Sequence, residues 1–188
     1  MLALTSLNSV WSWGLNSSGE LGNNTTANKS SPVIVVGAHS FVEISAGYYF
    51  SLALKANGEV WSWGLNSSGQ LGDNTTASKS SPVLVVGAHS FVEISGGSGL
   101  NYSLARKANG EVWSWGHNLY GQLGDNTTAN KSSPVLVFGS HVGVSLDFFE
   151  LIKYRHGATP EVCVAAEWNV YRQPFTSLGF VQVKTEVI

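Results

Sequence analysis

The residues able to do chemistry are few, and most of them recur. His39, His89 and His141 lie 50 and 52 positions apart, close behind a Gly-Ala or Gly-Ser pair. A histidine trio suggests a metal site, which needs ring nitrogens about 2.0–2.1 Å from one ion. Residues spaced this way belong to successive copies of one unit and occupy different sectors of the molecule. No shared metal is therefore expected, and the histidines read as structural or surface residues. Glu43/Glu93 and Glu59/Glu111 are periodic in the same way and read as solvated strand ends. Asp73 and Asp125 precede Asn-Thr-Thr, where an aspartate fixes a turn by accepting backbone N–H bonds. Calcium is the sharper alternative, but the clustered acidic ligands of such a site are missing.

Cys163 with His156 invites a nucleophile–base reading. Cys163, however, alternates with Val162 and Val164 in a strand-like run, where a cysteine packs as a small apolar residue. No third orienting group or oxyanion motif accompanies it. No catalytic residue is assigned, and no cofactor is called for.

Composition narrows the classes further. Charged residues make up 12% of 188, with a net charge of −2 and no run of Lys or Arg. Tracking nucleic-acid phosphates requires clustered cations, so nucleic acid is not an expected partner. No apolar run approaches the roughly 18 residues of a spanning helix, and no membrane insertion or cationic leader is expected. One cysteine excludes an intrachain disulfide framework.

The elements that must position these side chains are repeats. The pairs Trp11/Trp13, Trp61/Trp63 and Trp113/Trp115 carry the same 50 and 52 offsets. Residues 10–45 and 60–95 differ at only four of 36 positions: Glu20/Gln70, Asn23/Asp73, Asn28/Ser78 and Ile34/Leu84. A fixed period of this size marks a repeat architecture. In SLALKANGEVWSWG, Asn57-Gly58 separates two strand-like runs, and Asn-Gly predicts a type I′ hairpin turn. Asn109-Gly110 repeats it, whereas residues 2–10, aligned on 52–60, lack the pair. Trp61 and Trp63 share one strand face, with Val60 and Ser62 on the other. FVEIS adds a further short strand with apolar residues on both faces. No segment has a 3.6-residue apolar period. The chain is read as all-β.

The repeat region covers about residues 1–139, slightly under three units that begin inside one. Residues 140–188 form a second region, with 9 charged residues against 13 in residues 1–138. Runs 161–171 and 179–188 alternate like strands, so this is read as a β-rich tail, a cap or an oligomerisation segment.

SLALKANGEVWSWG, followed by NSSGQLGDNTT and SSPV, resembles the repeat of the regulator of chromosome condensation family. The resemblance recurs in register over about three quarters of the chain. It implies blades of a β-propeller, each a four-stranded sheet, and here a partial propeller of about three blades. Full members close a ring of seven. The nucleotide-exchange activity of the eukaryotic member depends on a complete ring and a wedge that nothing here matches. Bacterial and phage-borne relatives with such loops are often parts of secreted or surface proteins.

An incomplete ring leaves blade faces to be covered by a protein partner or by self-association. The chain is accordingly expected to be a non-enzymatic structural or interaction module, within a phage particle or bacterial surface structure. The alternatives are a lectin-like or inhibitor-like binder of a soluble protein or carbohydrate, or a fragment of a longer repeat protein. Recognition is expected where the repeats differ. His117-Asn118-Leu119-Tyr120 replaces Leu65-Asn66-Ser67-Ser68, and GGSGLNY replaces AGYYF. Tyr48, Tyr49, Tyr102, His117, Leu119 and Tyr120 are the candidate contact residues.

Overall fold

The computed structural model describes residues 1–37 and 39–139, and every regular element among them is a β-strand. His141, His156, Cys163 and the expected tail strands lie outside the described residues. No helix among the described residues is long and apolar enough to cross a membrane.

The strands form three antiparallel sheets. Blade 1 has three strands: β1 (Leu2–Leu4), β2 (Val10–Gly14) and β3 (Lys29–Ile34). Blade 2 has four: β4 (Glu43–Ala46), β5 (Phe50–Leu54), β6 (Val60–Gly64) and β7 (Lys79–Leu84). Blade 3 repeats that order with β8 (Phe91–Gly96), β9 (Tyr102–Lys107), β10 (Val112–Gly116) and β11 (Lys131–Leu136). This is the expected partial propeller.

The alternation within VWSWG explains how blades stack. Trp63 points back at blade 1 and joins Val10, Val35, Phe41 and Ala53 in one buried cluster. Val60, on the opposite face, joins Leu52, Leu71 and Val85 against Ile94, Ala105 and Trp115 of blade 3. A strand buried on both faces is what sheet-on-sheet stacking demands. Ser62 survives in this interior because its hydroxyl donates to the Leu71 carbonyl at 2.6 Å, which ties the long loop to the strand.

On blade 1, Trp11 is 37% exposed and Trp13 is partly so. On the far face of blade 3, Leu104, Val112 and Leu123 are buried.

The hairpin turns differ from the type I′ expectation. Gly58 N–H bonds the Lys55 carbonyl at 2.9 Å, and Lys55 N–H bonds the Glu59 carbonyl at 2.9 Å. Only Gly58, at φ +86°, is left-handed, while Asn57 is not. This is a type I turn closed by one left-handed residue, the pattern of a three-residue hairpin loop. Blade 1 keeps the turn without the Asn-Gly pair, because Asn8 takes the left-handed place at φ 61°. Asparagine tolerates that region better than other non-glycine residues.

Candidate functional site

Each junction between blades is built from the same few groups. The Glu20 carbonyl of blade 1 accepts the Trp63 indole N–H at 2.8 Å and the Ser51 hydroxyl at 3.0 Å. The Gln70 carbonyl of blade 2 accepts Trp115 at 2.9 Å and Ser103 at 2.7 Å. The long loop adds a second grip, since Asn24 N–H reaches the Ser80 carbonyl and Asn74 N–H the Ser132 carbonyl, both at 2.8 Å. The outer tryptophan of each pair has another task. Trp61 lies against His39, ring centroids 4.1 Å apart, with Lys55 above its ring at 4.5 Å. His89, Trp113 and Lys107 repeat that stack. Burial, and then the neighbouring lysine, hold both histidines below the usual imidazole pKa, with Glu59 and Glu111 opposing.

The long loop is organised by an asparagine that sequence reading treated as one of many. Asn66 is fully buried. Its Oδ1 accepts Leu71 N–H at 3.0 Å, and its Nδ2 donates to Asp73, to the Thr75 carbonyl and to the Ala77 carbonyl at 3.0–3.2 Å. Asn16 and Asn118 sit identically. Their place nine residues before Thr-Thr-Ala is the signal available in the sequence. Asp73 accepts the backbone and hydroxyl of Thr75 at 3.0 and 2.8 Å, the turn-fixing role expected of it. At Asp125 burial acts upward, but hydrogen bonds from Thr127, Lys131 and Asn118 outweigh it and hold the carboxyl low. Among the described residues no group of three or more His, Cys, Asp or Glu side chains could hold a metal.

Glu43 and Glu93 are not solvated strand ends, whereas Glu59 and Glu111 flank the starts of β6 and β10 with side chains 39% and 29% exposed. Glu93 bonds Arg106 at 3.0 Å with both side chains mostly covered, and Glu43 accepts the Ile94 amide at 3.4 Å. Glu59 is held below the usual carboxyl range by Lys55, Trp61 and Asn57.

The candidate contact residues separate into three groups. Tyr102 is 8% exposed, stands where Phe50 stands in blade 2, and packs with Leu104, Val112 and Leu123. It is a core residue, because the inserted loop delivers it to the start of β9 with its ring over Gly97. It leaves the contact set. Tyr48 is 57% exposed and meets Tyr49 edge-on at 4.2 Å. A hydrogen bond with Tyr48 raises the Tyr49 pKa. The two line a cleft of about 120 Å³ with Met1, Leu2, Leu15 and Glu20.

His117, Leu119 and Tyr120 come together on the third long loop. Leu119 and Tyr120 are 63% and 59% exposed at the positions of Ser67 and Ser68. The loop beneath them is fixed: Tyr120 N–H bonds Gln122 Oε1 at 3.0 Å, and Gly121 N–H bonds the Asn118 carbonyl at 2.9 Å. His117 Nδ1 contacts the Gln122 amide, and its ring centroid is 6.1 Å from that of Tyr120. An apolar pair is thus presented on a loop that pays little ordering entropy on binding.

The repeats and their fold have counterparts in known proteins. The model of the Regulator of chromosome condensation (RCC1) repeat matches residues 8–54, 57–104 and 109–145, and a second model of that repeat matches 41–70 and 92–122. The structure of human WBSCR16 is similar at 28% identity and TM-score 0.63, over 72% of this chain and 36% of that one. Prp20p from Saccharomyces cerevisiae, studied with its binding to Gsp1p and histones, is similar at 25% identity and TM-score 0.65, over 72% and 35%. The yeast RCC1 (Prp20) bound to Kap60 gives 25% and 0.64, over 72% and 34%. The chain spans about a third of the length of each. With three units matched in register, and each joined to the next through the same tryptophan, the chain belongs to the regulator of chromosome condensation (RCC1) repeat family.

Proposed function

We propose that the chain is a non-enzymatic protein-interaction module serving as a component of a larger assembly, such as a phage particle or bacterial surface structure. The observation that carries this reading is the pair Leu119 and Tyr120, exposed on a fixed loop where the sister loop has two serines. Exposed aromatic and aliphatic side chains on a rigid frame are the usual anchors of a protein interface. Proteins of the same repeat family, such as Prp20p with Gsp1p and histones, bind other proteins.

Placing a photo-crosslinking residue at position 120 of the full chain tests this in its native particle or envelope fraction. A discrete adduct with one assembly protein, lost in Leu119→Ser/Tyr120→Ser, is expected. A chain that stays a free monomer in its native source and gives no adduct would overturn the reading. The cleft beside Tyr48 and Tyr49 supports a second reading, a binder of a soluble carbohydrate. Selective glycan-array binding abolished by Tyr48→Ala would favour it.

A further inference from the structure

Twice the chain sets an ammonium of its own between a ring and a carboxylate. Lys55 Nζ lies 4.5 Å above the Trp61 ring and 3.1 Å from Glu59, and Lys107 repeats this with Trp113 and Glu111 at 4.6 and 3.0 Å. At the opposite end of the strands, rings and a carboxylate meet without the cation. Tyr48 and Tyr49 are the central residues of the turn 47–50, which Gly47 N–H closes on the Phe50 carbonyl at 2.9 Å. The turn has little freedom, since a Cβ on Gly47 would fall on the Phe50 ring. Its two edge-on tyrosines and Glu20 border one cleft. The Tyr49 pKa is raised first by the hydrogen bond with Tyr48, then by the Tyr48 charge and burial, and also by the charge of Glu20.

Glu20 differs from five other acids of the fold. Glu59, Glu93, Glu111, Asp73 and Asp125 each have a cation within ion-pair distance, and among the described residues Glu20 has none. Its Oε2 accepts the Ser18 amide at 2.8 Å and its Oε1 the Ser17 hydroxyl at 3.5 Å. The repeats change ring and carboxylate together. Gln70 and Gln122 take the place of Glu20 in the next two long loops. At the junction of blades 2 and 3, Asn101 takes the place of Tyr49: its carbonyl accepts His117 N–H at 2.8 Å, as that of Tyr49 accepts Leu65 N–H. Gln70 is fully buried, whereas Glu20 is half-buried. The carboxylate stands where the tyrosines stand and where the junction is open.

We propose that the cleft between blades 1 and 2 binds a lysine side chain of a protein partner, its ammonium set between the Glu20 carboxylate and the Tyr48 and Tyr49 rings. The ring quadrupole attracts the cation, and the carboxylate adds a charge-assisted hydrogen bond. Leu15 and Ala46 give the four-carbon stem an apolar wall. Lysine fits better than arginine, because a guanidinium fork needs both carboxylate oxygens and Glu20 Oε2 already holds the Ser18 amide. At about 120 Å³ the cleft is well below the roughly 300–1,000 Å³ of small-molecule pockets, which suits one side chain. The Met1 ammonium also borders it but is held on the Trp13 carbonyl at 3.0 Å. This rests on reading the chain as an interaction module and gives it a charge-reading contact besides Leu119 and Tyr120.

Amide and indole NMR shifts of the full chain test the proposal, in titrations with N-acetyl-lysine methylamide and its arginine and norleucine counterparts. The expected result is saturable shifts at Glu20, at Tyr48 and at the Trp63 indole, which bonds the Glu20 carbonyl, with none at the Trp115 indole. The arginine compound should bind more weakly and the norleucine compound not at all. Glu20→Gln, which installs the residue of the sister loops, should keep the melt and weaken binding about threefold or more. Tyr48→Ala should weaken it by a similar factor; if that variant fails to fold, Glu20→Gln decides. Absence of saturable shifts, equal binding of norleucine, tighter binding of arginine, or indifference to Glu20→Gln overturns the proposal. Selective glycan binding that survives Glu20→Gln assigns the cleft to carbohydrate and overturns it as well. No lysine binding beside an intact adduct at position 120 would sink this proposal and leave the function above standing, and the converse would sink that function alone.

Discussion

The indole N–H of Trp63 ends on the main-chain carbonyl of Glu20, 43 residues earlier and in the preceding blade, at 2.8 Å. The side chain that makes WSWG conspicuous thus serves as a cross-blade donor as well as an apolar plug. Trp13, the same residue in blade 1, stays partly exposed.

That difference is measurable. Trp63→Phe keeps most of the packing and leaves the Glu20 carbonyl its Ser51 bond, so the loss should be about 0.5–1.5 kcal/mol. Trp63→Ala should cost about 3–5 kcal/mol, whereas Trp13→Ala should cost about 1–2 kcal/mol because less area leaves water there. Urea unfolding of the three variants checks the order.

Asn66→Ala and Asn118→Ala should each be as damaging as a core truncation. Either one abandons a buried amide N–H and two loop carbonyls, so a loss of about 3 kcal/mol or more is expected. Asn57→Ala, at an exposed turn, should stay within about 1 kcal/mol. Thermal melts would separate these cases.

Two equivalent glycines should respond unequally to alanine. A Cβ on Gly69 would lie 2.6 Å from Ser132 Cα, against backbone that cannot yield, whereas Gly121 has nothing closer than the Thr127 carbonyl at 3.9 Å. Both have positive φ, so Gly121→Ala should lose about 1–2 kcal/mol from strain alone. Gly69→Ala should lose clearly more, and hydrogen exchange at Asn74, whose amide bonds Ser132, should rise in it alone.

Acid should loosen the blades before it protonates their carboxylates. His39 and His89 titrate lower folded than unfolded. Unfolded histidine takes up its proton from about pH 6.5 downward. Stability is therefore full above that pH and falls as the pH drops from about 6.5 through the folded pKa values. Loss from Glu59, Glu111 and Asp125, whose folded pKa values are depressed, follows below the ordinary carboxyl range. Urea midpoints between pH 7.5 and 5 should decline, and the His39→Gln/His89→Gln double variant should flatten that slope.

The sheets were legible because their signals are local. Alternation in VWSWG, the turn at residues 55–58 and the 50-residue period each operate within one unit. What escaped reading depends on partners far away in the chain or on substitution by a chemical equivalent. Asn8 looked like a lost turn because the pair Asn-Gly was sought, when one left-handed residue sufficed. Tyr102 looked like decoration because its loop differs from AGYYF, but the two-residue insertion shifts it onto the Phe50 position. Asn66 was hidden among similar polar residues, since nothing in its own neighbourhood distinguishes a buried hub from an exposed amide. The exposure of Leu119 and Tyr120 was legible by comparing repeats, which isolates positions that the shared frame does not fix.

The acceptor at each junction is a main-chain carbonyl, and the residue carrying it is Glu20 in one blade and Gln70 in the next. The socket is therefore indifferent to the side chain at its own position. An in-frame duplication of one 50-residue cassette would create a new junction from groups every unit already owns. Unequal recombination between near-identical repeats can lengthen or shorten such a gene without inventing a single contact, which makes blade number the most readily varied property of this chain.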